Sequence, residues 1–117
     1  MPKVVVVMND LFFSAKINDA AKQLGLTAAF VKDKAIALEQ FKAKPALVIF
    51  DLNCASADPL DLIRAAKEAA IPSVGFVSHV QIDLKQKAQE AGCDTVVARS
   101  VFAQKVLELI GQHRTAG

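Results

Sequence analysis

Five apolar residues in a row, closed by an acid, constrain this chain more than any other feature. The run Ala46-Leu47-Val48-Ile49-Phe50 leads into Asp51, Leu52 and Asn53. A strand with one face in water would show every second side chain to solvent. An unbroken apolar run bounded by Pro45 and by the polar stretch after Leu52 therefore reads as a strand covered on both faces, as in a parallel sheet. Asp51 stands at its C-terminal end, the edge at which open α/β sheets take their ligands.

The rest of the chain repeats that unit. Residues 4–8, Val-Val-Val-Val-Met, read as a second buried strand ending in Asn9 and Asp10. From Asp10 the period changes to that of a helix, with Phe13, Ile17, Ala20, Ala21 and Leu24 on one face and Gly25 as its stop. Residues 26–31 form a weaker strand. Asp33 is placed to cap a helix carrying Ala35, Leu38 and Phe41. After the loop at 52–57, Asp58-Pro59-Leu60-Asp61 reads as a helix start, with an acid able to cap and proline in the first turn. Leu62, Ile63, Ala66, Ala69 and Ala70 give that helix its inward stripe. A fourth strand at 74–77 ends in Ser78-His79, and a helix at about 82–91 stops at Gly92. A fifth strand at 95–98 ends in Arg99-Ser100, with Ser100 able to cap a last helix bearing Phe102, Val106, Leu109 and Ile110. Residues 111–117 read as a frayed, flexible tail.

Five βα units in succession predict an α/β fold: a doubly wound, five-stranded parallel sheet of order 2-1-3-4-5 with helices on both faces. At 117 residues this is one domain, 1–117. In that order the first and fourth strands flank the third, so Asn9, Asp10, Asp51 and Ser78 are expected to meet at one edge. Arg99 starts two strands away from Asp51, about 10 Å at the usual strand spacing, within reach of its long side chain.

Composition narrows the functional classes. Fourteen Lys+Arg against twelve Asp+Glu leave a charge of +2, too slight for a nucleic-acid surface. No apolar run approaches the ~20 residues needed to cross a bilayer. Cys54 and Cys93 form no CxxC pair and no secretory leader precedes the first strand, so reduced thiols and a cytoplasmic location are expected. No GxGxxG and no GxxxxGK[ST] is present, the loop after the first strand lacks the character of a flavin phosphate cradle, and Cys54 has Leu60 where a cysteine phosphatase loop carries arginine. His79 beside Ser78 has no third partner for nucleophilic catalysis. His113 falls in the tail. Phe12 and Phe13 are packing residues, with Phe12 available to a partner surface if it faces outward.

Carboxylates from adjacent strands, with a backbone carbonyl just beyond, suit a hard divalent cation such as Mg²⁺. An aspartate beside such a metal, a hydroxyl and a cation is a reasonable phosphoryl acceptor, the metal, Ser78 and Arg99 spreading the charge of the transferred group.

These strand ends resemble the receiver domain of two-component response regulators, the CheY-like fold, across essentially the whole chain. Asp51 matches the phosphoacceptor that ends the third strand of receivers, and Ser78 the hydroxyl that ends the fourth. Asn53 matches the residue whose main-chain carbonyl binds the metal, and the segment 91–94 places Arg99 at the lysine that ends the fifth strand. The resemblance implies a stand-alone signal-transduction domain, not an enzyme beyond self-phosphorylation from a phosphodonor. It would take Mg²⁺ through Asp10, Asp51 and Asn53, with Asn9 an alternative. It would signal by binding proteins, a sensor kinase or a downstream target, with a homodimer one option and no nucleic acid or membrane. The departures mark an atypical receiver or pseudo-receiver. Met8-Asn9-Asp10 stands where an acidic pair belongs, Arg99 replaces lysine, Ser100 replaces proline, and Val96 lies where an aromatic switch residue often sits. Two other readings stay open: a phosphorylation-independent interaction module, and a flavodoxin-like small-ligand-binding or enzyme domain using the same crevice.

Overall fold

The computed structural model describes residues 3–9, 11–78 and 81–113. Five βα units follow one another: β1 (Lys3–Val7), α1 (Leu11–Gln23), β2 (Thr27–Val31), α2 (Lys34–Phe41), β3 (Leu47–Asp51), α3 (Pro59–Glu68), β4 (Ser73–Val77), α4 (Ile82–Ala91), β5 (Thr95–Ala98) and α5 (Arg99–His113). One turn of 3-10 helix, Ala55–Ala57, lies between β3 and α3. All pairings are parallel and the order is β2-β1-β3-β4-β5, as the sequence predicts.

The apolar runs still alternate in space, because successive strand residues face opposite sides. Val4, Val6, Leu47, Ile49, Val74 and Phe76 pack under α1 and α5 with Ile17, Phe102, Val106 and Ile110. Val5, Val7, Val48, Phe50 and Val77 pack on the other face with Phe41 from α2, Leu62, Ile63 and Ala66 from α3, and Ala88 from α4. Both faces of β3 are buried throughout. β2 closes one side of the sheet, where Phe30 stays exposed.

Several local expectations are revised. Asp33 does cap α2, its Oδ1 accepting from the amides of Ala35 and Ile36 at 2.9 and 3.2 Å. The buried face of that helix is Ala37 and Phe41, however, while Ala35 and Leu38 are exposed. Asp58 makes no side-chain cap on α3. It takes a left-handed φ of 50° and pairs with Lys34 instead, leaving Pro59 to open the helix. Ala70 is not on the inward stripe, because α3 ends before it and its φ is 58°. Ser100 caps nothing, since α5 already begins at Arg99, directly after β5. The tail expected at 111–117 is helical over 111–113, since α5 runs to His113, whose Nε2 lies 3.2 Å from Thr95 Oγ1; residues 114–117 lie outside the described residues. His113 is thus tied to the start of β5.

Candidate functional site

Asp51 ends β3 opposite Phe76 of β4 and is 7% exposed, one of two buried polar or charged residues among the described residues. Its Oδ1 accepts the Asn53 amide at 2.9 Å. This is a local turn in which an aspartate side chain holds the backbone two residues on. That bond aims the loop so that Asn53 crosses to β4. Asn53 Oδ1 accepts both the Ser78 amide, at 3.1 Å, and the Ser78 hydroxyl, at 3.2 Å. Asn53 Nδ2 donates to Gln81 Oε1 at 2.8 Å, just before α4. The loops after β3 and β4 are thereby clasped together. The side chain of Asn53 does this, whereas its resemblance to receivers pointed only to its carbonyl.

Arg99 opens α5 at the same edge. Its guanidinium carbon lies 4.8 Å from the centre of the Phe13 ring and 5.7 Å from that of Phe76. The rings of Phe13, Phe76 and Phe102 form a stacked group with centroids 4.9–5.5 Å apart. A cation over an aromatic face is attracted by the ring quadrupole, by roughly 0.5–2 kcal/mol depending on solvation. Phe13, Ser78, Arg99, Ser100 and Ala103 line a groove of about 470 Å³. Ser78 and Arg99 therefore share one concavity, and Ser78 and Asp51 are each bonded to Asn53. Asn9 is exposed just past β1. Asp10 and His79 lie outside the described residues, as does the side chain of Phe12.

Two features here were not foreseen from the sequence. The aromatic group under Arg99 joins residues far apart along the chain, and only the recurrence of phenylalanine at 13, 76 and 102 hints at it. The second is an ion-pair cluster linking the starts of α2 and α3, in which Lys34 meets both Asp58 and Asp61. Asp61 holds the Lys34 ammonium above its ordinary value by hydrogen bond and charge, and Lys34 lowers Asp61 in return. Both groups are solvent-exposed, so the cluster positions loops more than it stabilises the fold. Cys54 and Cys93 are free and buried.

The groups that the expected ligand residues offer are oxygens: the Asp51 carboxylate at the end of β3, the main-chain carbonyl of Asn53 two residues on, and the side-chain amide of Asn9 just past β1. That chemistry fits Mg²⁺, which retains several waters and needs only one or two carboxylates. It does not fit a softer metal. Among the described residues no three His, Cys, Asp or Glu side chains cluster.

A doubly wound sheet with a carboxylate, a hydroxyl and a cation on its C-terminal edge belongs to the flavodoxin-like class. Within that class the chain has the receiver fold. A response regulator from Hahella chejuensis superposes with a TM-score of 0.83 at 23% identity, covering 95% of this chain and 93% of that one. A response regulator from Thermotoga maritima gives 0.78 at 21% identity, covering 96% of each chain. The phosphorylated cyanobacterial phytochrome response regulator RcpA gives 0.77 at 15% identity, covering 95% of this chain and 89% of that one. No protein-family model and no curated protein matches the sequence. No described helix is long and apolar enough to cross a membrane.

Proposed function

We propose that the chain is a receiver-like signalling module whose state is set at Asp51 and read by a protein partner. One observation carries this reading: the buried carboxylate at the end of the central strand, tied through Asn53 to a hydroxyl on the next strand. In the step proposed, an Asp51 oxygen attacks the phosphorus of an acyl phosphate. The P–O bond to the donor breaks, the donor's carboxylate leaves with the electron pair, and Asp51 becomes an aspartyl phosphate. Mg²⁺, held by the Asp51 carboxylate and the Asn53 carbonyl, with Asp10 or Asn9 from the segment after β1 as a further candidate ligand, would supply positive charge for the phosphoryl oxygens. The Ser78 hydroxyl would give up Asn53 Oδ1 and donate to a phosphoryl oxygen, and Arg99 would add a charge-assisted bond. Exchanging those bonds alters the clasp between the two loops, so the charge at Asp51 is converted into a change at the start of α4.

The test is intact mass after incubation with acetyl phosphate and Mg²⁺. One added phosphate, lost in Asp51→Asn, supports the step. An unmodified wild-type chain rejects it, and modification that survives Asp51→Asn moves the acceptor elsewhere.

A second reading has its own observation. The Asn53 side chain makes three hydrogen bonds to Ser78 and Gln81 with Asp51 unmodified, so the loops are already closed. On that reading the chain is a pseudo-receiver that presents one fixed surface to its partner. Partner affinity unchanged by Mg²⁺, by a phosphodonor and by Asp51→Asn identifies it.

A further inference from the structure

The outer edge of β2 carries none of the features that keep an edge strand from pairing. Such edges are normally guarded by a charge, a proline, a bulge or a covering segment, because their free N–H and C=O groups otherwise accept another strand. Residues 23–31, Gln-Leu-Gly-Leu-Thr-Ala-Ala-Phe-Val, contain no charged residue and no proline. β2 runs in unbroken register along β1, so no bulge turns it aside. It is the end strand of the sheet. Among the described residues, Ala28, Ala29 and Phe30 make no hydrogen bond outside the ladder with β1. The opposite edge, β5, is shorter and lies between Asp94 and Arg99.

The backbone also fixes the register that a partner strand would take. The Met8 amide donates to the Val31 carbonyl at 3.0 Å, so Val31 turns its polar groups toward β1. Residues along a strand alternate in this respect. Ala29 therefore faces β1 as well, while Ala28 and Phe30 turn their N–H and C=O groups outward. Two copies of β2 laid antiparallel about Ala29 set Ala28 of each opposite Phe30 of the other. Those are the residues whose donors and acceptors are free, and each such pair exchanges both of its bonds. The two Ala29 residues then meet as a non-hydrogen-bonded pair with Cα atoms about 4.5 Å apart, a closeness that suits a small side chain. Ala28 packs on the cluster under α1, and Phe30, two residues on and 38% exposed, shares that face. In this register each ring lies over the partner's Ala28 methyl, where there is room for it.

We infer that the occupant of this edge is a second copy of the chain, joined through antiparallel β2 strands into one continuous sheet across a twofold axis. The contact is self-complementary and closes, because each copy uses its β2 edge once. One strand buries little beside a standard interface, so the pair is weak and concentration-dependent. β1 stands between this edge and β3, and the pairing does not rest on phosphorylation of Asp51.

The experiment combines sedimentation equilibrium of the full chain, at micromolar to millimolar concentration, with amide hydrogen exchange. A monomer–dimer equilibrium is expected. Exchange at the Ala28 and Phe30 amides should slow as concentration rises, while Ala29 and Val31, turned toward β1, stay protected throughout. Phe30→Lys supplies the missing guard and should weaken association by at least about tenfold. Cysteine reads the register: Ala29→Cys should give a disulfide-linked dimer on mild oxidation, since that position meets itself, and Ala28→Cys, which meets Phe30, should not. The wild-type chain, with Cys54 and Cys93 buried, is the control. A chain that stays monomeric at millimolar concentration, the result expected if the edge serves a strand of another protein, would overturn the proposal. So would association undiminished in a folded Phe30→Lys, linking at 28 as readily as at 29, or concentration-dependent protection on β5 or a helix face with none on β2. Wild-type exchange and linking at Ala29→Cys decide the matter even where Phe30→Lys does not fold.

Discussion

Because Asn53 Oδ1 takes both the amide and the hydroxyl of Ser78, truncating this one exposed side chain leaves two neighbouring donors to water. Each such bond contributes about 0.5–1.5 kcal/mol net, the lower end applying where solvent can replace it. Asn53→Ala is therefore expected to cost about 1 kcal/mol in denaturant unfolding. Its sharper signature is local: hydrogen exchange at the Ser78 amide should quicken by about tenfold while the amides of β3 stay protected. Unchanged exchange at Ser78 would show that the clasp does not hold the loop. Asp51 was legible in the sequence because an acid closing an apolar run has few structural explanations. The clasp was not, since nothing local in a chain marks a pairing across 25 positions. Arg99 was legible as a cation at the right strand end, but its seat on Phe13 and Phe76 depends on how three elements pack.

Helix ends divide in the same way. α1, α3 and α4 all finish with paired backbone bonds in which the residue after a left-handed one reaches back to the last turn: Leu26 to Ala21, Ile71 to Ala66 and Cys93 to Ala88, at 2.8–3.0 Å. The left-handed residue is Gly25, Ala70 and Gly92 respectively, with φ of 74°, 58° and 112°. The two glycines announced their helix ends in the sequence. Alanine at the third did not, and the stripe of Ala66, Ala69 and Ala70 read as continuous helix. An L-residue in this conformation costs roughly 1–2 kcal/mol that glycine avoids, partly offset by the ~0.5–1 kcal/mol entropy of an unfolded glycine. Ala70→Gly should accordingly raise stability by about 0.5 kcal/mol, or about 2–4 °C in Tm. Ala65→Gly, in the middle of the same helix, should lower it by about 1 kcal/mol. Calorimetry on the two variants checks the contrast. A fall in Tm for Ala70→Gly would mean that the terminus is not strained. Asp58 carries the complementary lesson, because its pairing with Lys34 from α2 overrode the cap that its place before Pro59 suggested.

At the scale of the whole molecule, the sheet order was legible because five strand–helix units with right-handed crossovers leave few alternatives. Burial on both faces of β3 then gives each core cluster a stake in global unfolding. Cys93 offers a way to read that unfolding. It packs in the cluster beneath α3 and α4, and its thiol donates to the Thr95 carbonyl at 3.3 Å. Burial pushes this thiol above its ordinary value of 9.0, outweighing the Ser73 and Thr95 hydrogen bonds that act the other way. The folded pKa thus lies above the unfolded one. Below about pH 9 both states hold the proton and the side chain contributes its full packing. Above it the unfolded chain releases the proton first, so the native state binds more protons and stability falls as pH rises towards and through the folded pKa. Lysines also titrate in this window, so the informative quantity is the difference between wild type and Cys93→Ala. Removing the buried thiol should leave the variant less stable at neutral pH. That gap should be constant from pH 6 to about 8, then close as the pH passes about 9. A gap that stayed constant to pH 10.5, measured by urea unfolding, would mean that the Cys93 thiolate is as well solvated in the fold as outside it. The cluster beneath α3 and α4 would then have to admit water that its packing excludes.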